Sequence, residues 1–295
     1  MLNLPNSYQA LVERLLNERD LQMLQELVEV WDGLTPPQQI QQANLWKDRL
    51  YWDNHTSIAT WFPTPAVRAA YPKQMQHCKH GAKYDERALL GGNRTGKTHV
   101  GCFEDTLHLT GLYPDWWEGR RFEHAIGAWV ATDTAKNVRD ILQQKFCGEP
   151  GVPQLFGTGM IPIDFFASDP TSKHGIANAY ESVFVHHHTN GVYDGVSSLM
   201  FKSYDQERQA FQGTQQDLIH LDEEPKIAIY TECSLRLMST SPGEKNGALV
   251  LTETPLLGIS ELCISFMPEL NPLPDMRPVR EYDHDQQDYD MVIDE

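Results

Sequence analysis

The sequence predicts an α/β fold with a mostly parallel sheet flanked by helices. Three stretches carry that expectation. Arg87 to Leu90 is a short strand-like segment that feeds a glycine-rich loop and then a helical pattern. Ala125 to Ala131 is a near-continuous apolar run, as expected of a parallel strand buried on both faces. Asp217 to Leu221 is a third, mostly apolar segment that ends in the acids Asp222, Glu223 and Glu224. Strand and capped helix alternate here in the order of a βαβ sheet.

The loop between the first strand and its helix reads Gly91-Gly92-Asn93-Arg94-Thr95-Gly96-Lys97-Thr98. It satisfies the phosphate-binding spacing G-x-x-x-x-G-K-[ST] in full. A turn of this kind aims its backbone N–H groups and the following helix N-terminus at one point, which attracts phosphate. Lys97 is placed to reach the β- and γ-phosphates of a nucleotide, and the Thr98 hydroxyl to ligate Mg²⁺. The fold expectation is therefore that of a P-loop nucleoside triphosphatase, with ATP and Mg²⁺ as its cofactors.

About 130 residues later, the acid-ended strand supplies the other half of such a site. An Asp at a strand end holds Mg²⁺, and Asp222 has that place. The next residue, Glu223, is positioned to orient and deprotonate the attacking water; the role of Glu224 stays open. A further strand over Ala248–Thr252 ends in Thr252-Glu253-Thr254-Pro255. A polar strand end beside the acidic one can sense γ-phosphate. Arginine near that phosphate offsets transition-state charge. The candidates are Arg94, acting within its own chain, and Arg139 or Arg236, acting in the same chain or on a neighbour. Glu232 and Arg236 at i, i+4 also form an ion pair by themselves.

The remaining elements follow in order. Residues 7–31 predict a helix, with Ser7 as cap and Leu11, Leu15, Leu24, Leu27, Val28 and Trp31 as its apolar stripe. Gly33 and Pro36-Pro37 end it, and a second helix is expected over 37–51. These helices either pack on the main domain or dock a partner subunit. A proline- and aromatic-rich connector spans 55–72. After the strand at 125–131, Thr132 or Asp133 is expected to cap a helix with Lys136, Arg139 and Lys145 on its polar side. Residues 148–179 read as loop or insertion. Residues 181–187 alternate like a strand, turn at Thr189-Asn190-Gly191 and return near 198–203. Adjacent strand residues face opposite sides, so His186, His187 and His188 are not expected to share a metal ion.

Composition sets outer limits. Hydrophobic content of 40% and charged content of 22% in 295 residues are ordinary for a globular protein. No apolar run is long enough to cross a membrane. The five cysteines are scattered, with no CxxC pair, which argues for reduced thiols in a cytoplasmic setting. A net charge of −17 argues against tight DNA binding by the isolated chain. The acids Asp283, Asp285, Asp288, Asp290, Asp294 and Glu295 crowd the last segment, where no strand framework is expected around them.

Together these residues resemble the large terminase subunit of tailed bacteriophages, with most similarity to the short-tailed phages that package by the headful. The resemblance spans residues 70–265. It includes Tyr71-Pro72-Lys73-Gln74, the P-loop, residues 108–114 and 187–195, and Phe211-Gln212-Gly213. It continues through Asp222-Glu223-Glu224-Pro225 and Thr254-Pro255-Leu256-Leu257-Gly258. It implies an ATPase motor that drives double-stranded viral DNA into a procapsid. The same resemblance implies a homo-oligomeric ring, a small terminase subunit and a portal protein as partners, no membrane, and residence in the host cytoplasm with transient attachment at the portal. It implies adenine contact for Gln74, phosphate and Mg²⁺ binding for Lys97 and Thr98, metal binding for Asp222 and catalysis by Glu223. Thr252 and Thr254 fall in the family's coupling motif. Arg94 lies where some members carry an arginine and others do not. Three regions are expected: a helical extension over 1–58, the ATPase domain over 59–270 and an acidic linker or tail over 271–295. The family's nuclease domain is not expected in this chain, whether through a shortened or split gene or through truncation, so DNA cutting is not expected either. Two alternatives remain open, a helicase-type P-loop ATPase and a non-catalytic nucleotide-binding or assembly module.

Overall fold

The computed structural model describes residues 31, 33–44, 58–239, 246–255 and 260–266, together with the backbone of 277–283 and 288–294. The predicted helix over 7–31 lies outside these residues except at its end. Residues 36–44 of the second predicted helix are helical, and 45–51 lie outside.

A nine-stranded sheet organises the described residues, in the order β3-β4-β5-β2-β6-β7-β1-β9-β8. Its centre is the run β5 (Val192–Ser203), β2 (Gly127–Thr132), β6 (Leu218–Asp222), β7 (Ala248–Glu253) and β1 (Glu86–Leu90). Every pairing within that run is parallel. One edge is finished by antiparallel β4 (Tyr180–Thr189) and the short β3 (Thr171–Ser172). The mostly parallel α/β architecture expected of a P-loop nucleoside triphosphatase is therefore present.

At the other edge the sequence reading needs a correction. Residues 277–283 and 288–294 do form strands: β8 (Arg277–Asp283) and β9 (Asp288–Asp294) pair antiparallel, and β9 adds to β1 through Glu86↔Ile293 and Arg87↔Val292. Val279, Tyr282, Tyr289, Val292 and Ile293 supply the β-branched and aromatic residues a strand favours, which the acids between them obscure. This strand pair also covers the open edge that β1 would otherwise present.

Period-two alternation divides the core. Leu218, Val250, Ala248, Ala128 and Val130 face one side, with Val100, Phe103 and Leu107 of α3 (Lys97–Thr110). Ile219, Leu221, Leu249, Leu251 and Ala131 face the other side, with Ile229, Cys233 and Leu237 of α5 (Ile227–Leu237). Because side chains alternate along a strand, His220 and Asp222 of β6 lie on the α3 side, as Thr252 of β7 does. The shorter helices are α1 (Pro65–Ala69), α2 (Pro72–His80), α4 (135–147) and α6 (Glu261–Ser265).

Helix α3 is buried along nearly its whole length, including Glu104, Asp105 and His108. Burying charge requires a partner. The Arg87 guanidinium donates to both Glu104 oxygens, at 3.0 and 3.2 Å, and to the His77 carbonyl at 2.8 Å.

Helix α4 starts later than expected. Its cap is Thr134, whose hydroxyl accepts from the Asn137 N–H at 3.2 Å, while Asp133 accepts from the Thr134 N–H at 2.7 Å. A π-helical turn over Val138–Gln143 then offsets the helical register. Lys145 leaves the expected polar face and packs its ammonium on the His99 ring. In β4, a bulge between His187 and His188 breaks the simple alternation, and both rings are buried. His187 Nδ1 lies 2.6 Å from Asp194 Oδ1. Among the described residues, no described group of converging metal ligands contains any of the three histidines.

Candidate nucleotide-binding active site

Gly91 leaves β1 with its N–H donating to the Glu253 carbonyl of β7 at 3.2 Å, so the loop begins at the carboxyl end of the parallel sheet. Ligands of open α/β sheets bind at that end. Arg94 and Gly96 take positive φ, 63° and 85°. Gly96 adopts that left-handed geometry without steric cost and sends the chain directly into α3.

The loop is internally braced. The Thr95 hydroxyl donates to the Gly92 carbonyl at 2.9 Å, and the Lys97 ammonium donates to the same carbonyl at 2.8 Å. The Gln74 side-chain amide of α2 donates to the Thr95 carbonyl at 2.9 Å. Gln74 therefore stands beside the loop. Asn93 and Arg94 are exposed at the tip.

The two halves of the predicted site meet. Thr98 Oγ1 donates to Asp222 Oδ1 at 2.8 Å across 124 residues of sequence. Thr252 Oγ1 donates to the same oxygen at 2.7 Å, from the neighbouring strand. A threonine hydroxyl and a carboxylate are hard oxygen donors, the set Mg²⁺ prefers. The residues present fit that ion.

Glu223 follows at the end of β6 with φ 64°. A non-glycine residue in this region carries strain of about 1–3 kcal/mol, held by its surroundings. Here the Glu223 N–H donates to the Thr252 carbonyl at 2.8 Å, and the Thr254 N–H donates to Glu223 Oε2 at 3.3 Å. The Tyr204 hydroxyl, buried beneath, lies 2.8 Å from the Glu223 carbonyl and 3.1 Å from that of Asp222. Burial first, and the Asp222 carboxylate next, push the Glu223 carboxyl up from its ordinary value. Burial lowers the Lys97 ammonium, against the opposing pull of Glu223, Asp222 and Glu253.

The arginine candidates separate. Arg94 sits in the loop itself. Arg236 pairs with Glu232 at 2.9 Å and donates to the Gly213 carbonyl at 2.9 Å. Its own carbonyl receives the Gln216 N–H, just before β6 begins. That is the opposite end of the strand from Asp222. Arg139 is held by Asp140 at 2.6 Å and by the Ala177 carbonyl at 3.2 Å.

The family profile described as terminase large subunit, T4likevirus-type, N-terminal, matches residues 88–290. The chain belongs to the terminase large-subunit family. It is 32% identical over 259 residues to the terminase large subunit of Salmonella phage P22, a match covering 82% of this chain and 48% of that protein. The chain thus spans about half the length of the curated relative it matches. Its structure is also similar to the large terminase ATPase domain of Thermus phage P74-26, at 17% identity and a TM-score of 0.43, over 70% of this chain and 74% of that one.

Three features of this terminase site escape the sequence reading. His220 and Asp105 are buried behind Asp222, and Tyr204 lies under the strand end. His220 has one sequence signal, a titratable residue inside an otherwise apolar strand; Asp105 and Tyr204 have none. Burial opposes charge on His220, yet the Asp105 carboxylate beside it outweighs that and raises its pKa.

Proposed function

We propose that this chain is the ATP-hydrolysing motor portion of a DNA-packaging terminase. The observation that carries the reading is the contact of Thr98 with Asp222, which joins the phosphate loop to the acid-ended strand. Family membership supplies the setting.

ATP is the substrate. The loop N–H groups of residues 91–98 and the Lys97 ammonium bind its phosphates and stabilise charge as it develops. Gln74 stands at the loop for the base. Thr98 and Asp222 would hold Mg²⁺, which neutralises phosphate charge when bound. Glu223 orients the attacking water and accepts its proton. Burial and the neighbouring Asp222 carboxylate raise its pKa, the direction that strengthens a carboxylate as a base. Arg94 acts within its own chain on the γ-phosphate. Thr252 and Thr254 join the Asp222 and Glu223 carboxylates to β7, and so supply the link by which hydrolysis moves the rest of the motor.

The assembled motor is a ring of these subunits around double-stranded viral DNA, joined by a small terminase subunit and a portal protein in the host cytoplasm. With a net charge of −17, DNA contact is a property of the assembly and not of one subunit. Among the described residues, no helix is long and apolar enough to cross a membrane.

Steady-state Mg²⁺-ATP turnover across a range of protein concentrations tests the reading, with Lys97→Ala as the blank. Constant turnover per chain above the blank supports Arg94 acting in its own site. Turnover per chain that rises with concentration supports hydrolysis completed by a neighbour and overturns the self-contained role of Arg94. Turnover equal to the blank overturns hydrolysis and favours the non-catalytic module.

A further inference from the structure

A line of buried polar groups continues from the metal-binding pair into the centre of the domain. Asp222 Oδ1 accepts from Thr252, His220 Nε2 lies 2.8 Å from Thr252 Oγ1, and His220 Nδ1 lies 2.6 Å from Asp105 Oδ2. The four residues are at most 3% exposed. They join β6, β7 and α3, the three elements that make the hydrolytic site.

The donors in this line are fixed by proton arithmetic. A threonine hydroxyl has one proton. The Asp222 carboxylate only accepts, so the Thr252 proton goes to Asp222 and its lone pair faces His220. The Nε2 nitrogen must then carry a hydrogen and donate it. A ring with bare Nε2 would draw the Thr252 proton toward itself and away from Asp222. The Asp105 carboxylate also only accepts, so it takes the Nδ1–H, and the ring that satisfies both neighbours carries a proton on each nitrogen.

Packing shows that the ring position is built in. A Cβ added at Gly101 of α3 would lie 2.3 Å from His220 Cε1, so only glycine lets the helix pass over the imidazole. Asp105 Oδ1 is buried without a hydrogen-bond partner among the described residues. That cost is one an apolar pair at the same place would avoid.

We propose that Asp105 and His220 are positioning residues for the terminase ATPase site: they hold the Thr252 hydroxyl as a donor to Asp222 and thereby fix the Asp222 carboxylate against Thr98. The proposal rests on the reading of this site as one that hydrolyses Mg²⁺-ATP. It goes beyond that reading in assigning the orientation of the strand-end threonine to a histidine on the neighbouring strand.

The test uses His220→Asn and His220→Met, which lack a donor at the Nε2 position, beside His220→Gln, whose amide nitrogen occupies it. Variants are compared only after thermal unfolding has identified those that remain folded. In turnover, the donor-lacking variants are expected to lose about 10–100-fold in kcat, with the KM for ATP within about twofold. His220→Gln should recover most of the loss. Combining His220→Met with Thr252→Val should cost no more than Thr252→Val alone, since both act through one hydroxyl. Affinity for Mn²⁺ in the presence of ATP supplies a readout independent of turnover. It should fall about tenfold in His220→Met and return in His220→Gln. Multiplying effects, or equal Mn²⁺ affinity in all folded variants, would overturn the positioning role. Wild-type turnover equal to Lys97→Ala would instead overturn the hydrolysis reading, and the Mn²⁺ series would still decide the positioning one.

Discussion

Thr98 and Asp222, 124 residues apart, share a hydrogen bond of 2.8 Å. That contact brings the first turn of the phosphate-loop helix against the end of the acidic strand. A site that needs both groups on one ion therefore depends on this register being kept.

Replacing Thr98 by Val removes the hydroxyl and keeps the volume. The Mg²⁺ concentration for half-maximal turnover should rise at least about tenfold, while Thr98→Ser stays near wild type. Mg²⁺ titration of steady-state turnover reads the difference. An unchanged Mg²⁺ requirement in Thr98→Val would remove Thr98 from the metal site.

Gly101→Ala offers a packing test. Alanine improves helix propensity by about 1 kcal/mol. Against this, the added Cβ meets the His220 ring at 2.3 Å, with the ring fixed by Asp105 and Thr252. Overpacking of that kind costs about 1–3 kcal/mol, so the clash should win. Urea unfolding is expected to show net destabilisation; a stabilised variant would mean that the helix yields freely.

Much of this site was legible in the sequence because its chemistry is local. Gly91 to Thr98 and Asp222-Glu223 follow spacings set by phosphate and metal geometry, and apolar runs foretold parallel β2 and β6. What escaped depends on three-dimensional packing. His220 and Asp105 meet only when β6 lies beneath α3, and nothing in their own neighbourhoods pairs them. The strands at 277–283 and 288–294 were hidden by acids that do not prevent backbone pairing.

Arg94 has a conformation to match its place. It holds φ 63° at the exposed tip of the loop, with no ion pair of its own among the described residues. Arg94→Ala should lower turnover about 10³-fold or more, with nucleotide affinity changed far less. A loss below tenfold would move the arginine role to another residue.

Acid should destabilise the fold through two histidines held neutral. Burial, with Arg87 nearby, lowers His77 to about 3, and burial with Lys145 lowers His99 to about 4. Both values lie below the ordinary 6.5. The unfolded chain therefore binds more protons than the folded one in this range. The stabilising contribution is complete above pH ~6.5 and is lost as the pH falls toward those two values. His77→Gln should reduce the stability difference between pH 7 and pH 5 by about 2 kcal/mol. Urea unfolding at the two pH values checks this, and an unchanged difference would show that His77 is not held neutral.

The most direct test of the account is Glu223→Gln, with hydrolysis and ATP binding measured on the same protein. Glu223 is the group assigned to the water, and its amide analogue preserves shape while removing the base. Turnover is expected to fall by about 10²–10⁴, with ATP affinity essentially that of the wild type. Turnover unchanged in Glu223→Gln would contradict the assignment of hydrolysis to this acid-ended strand.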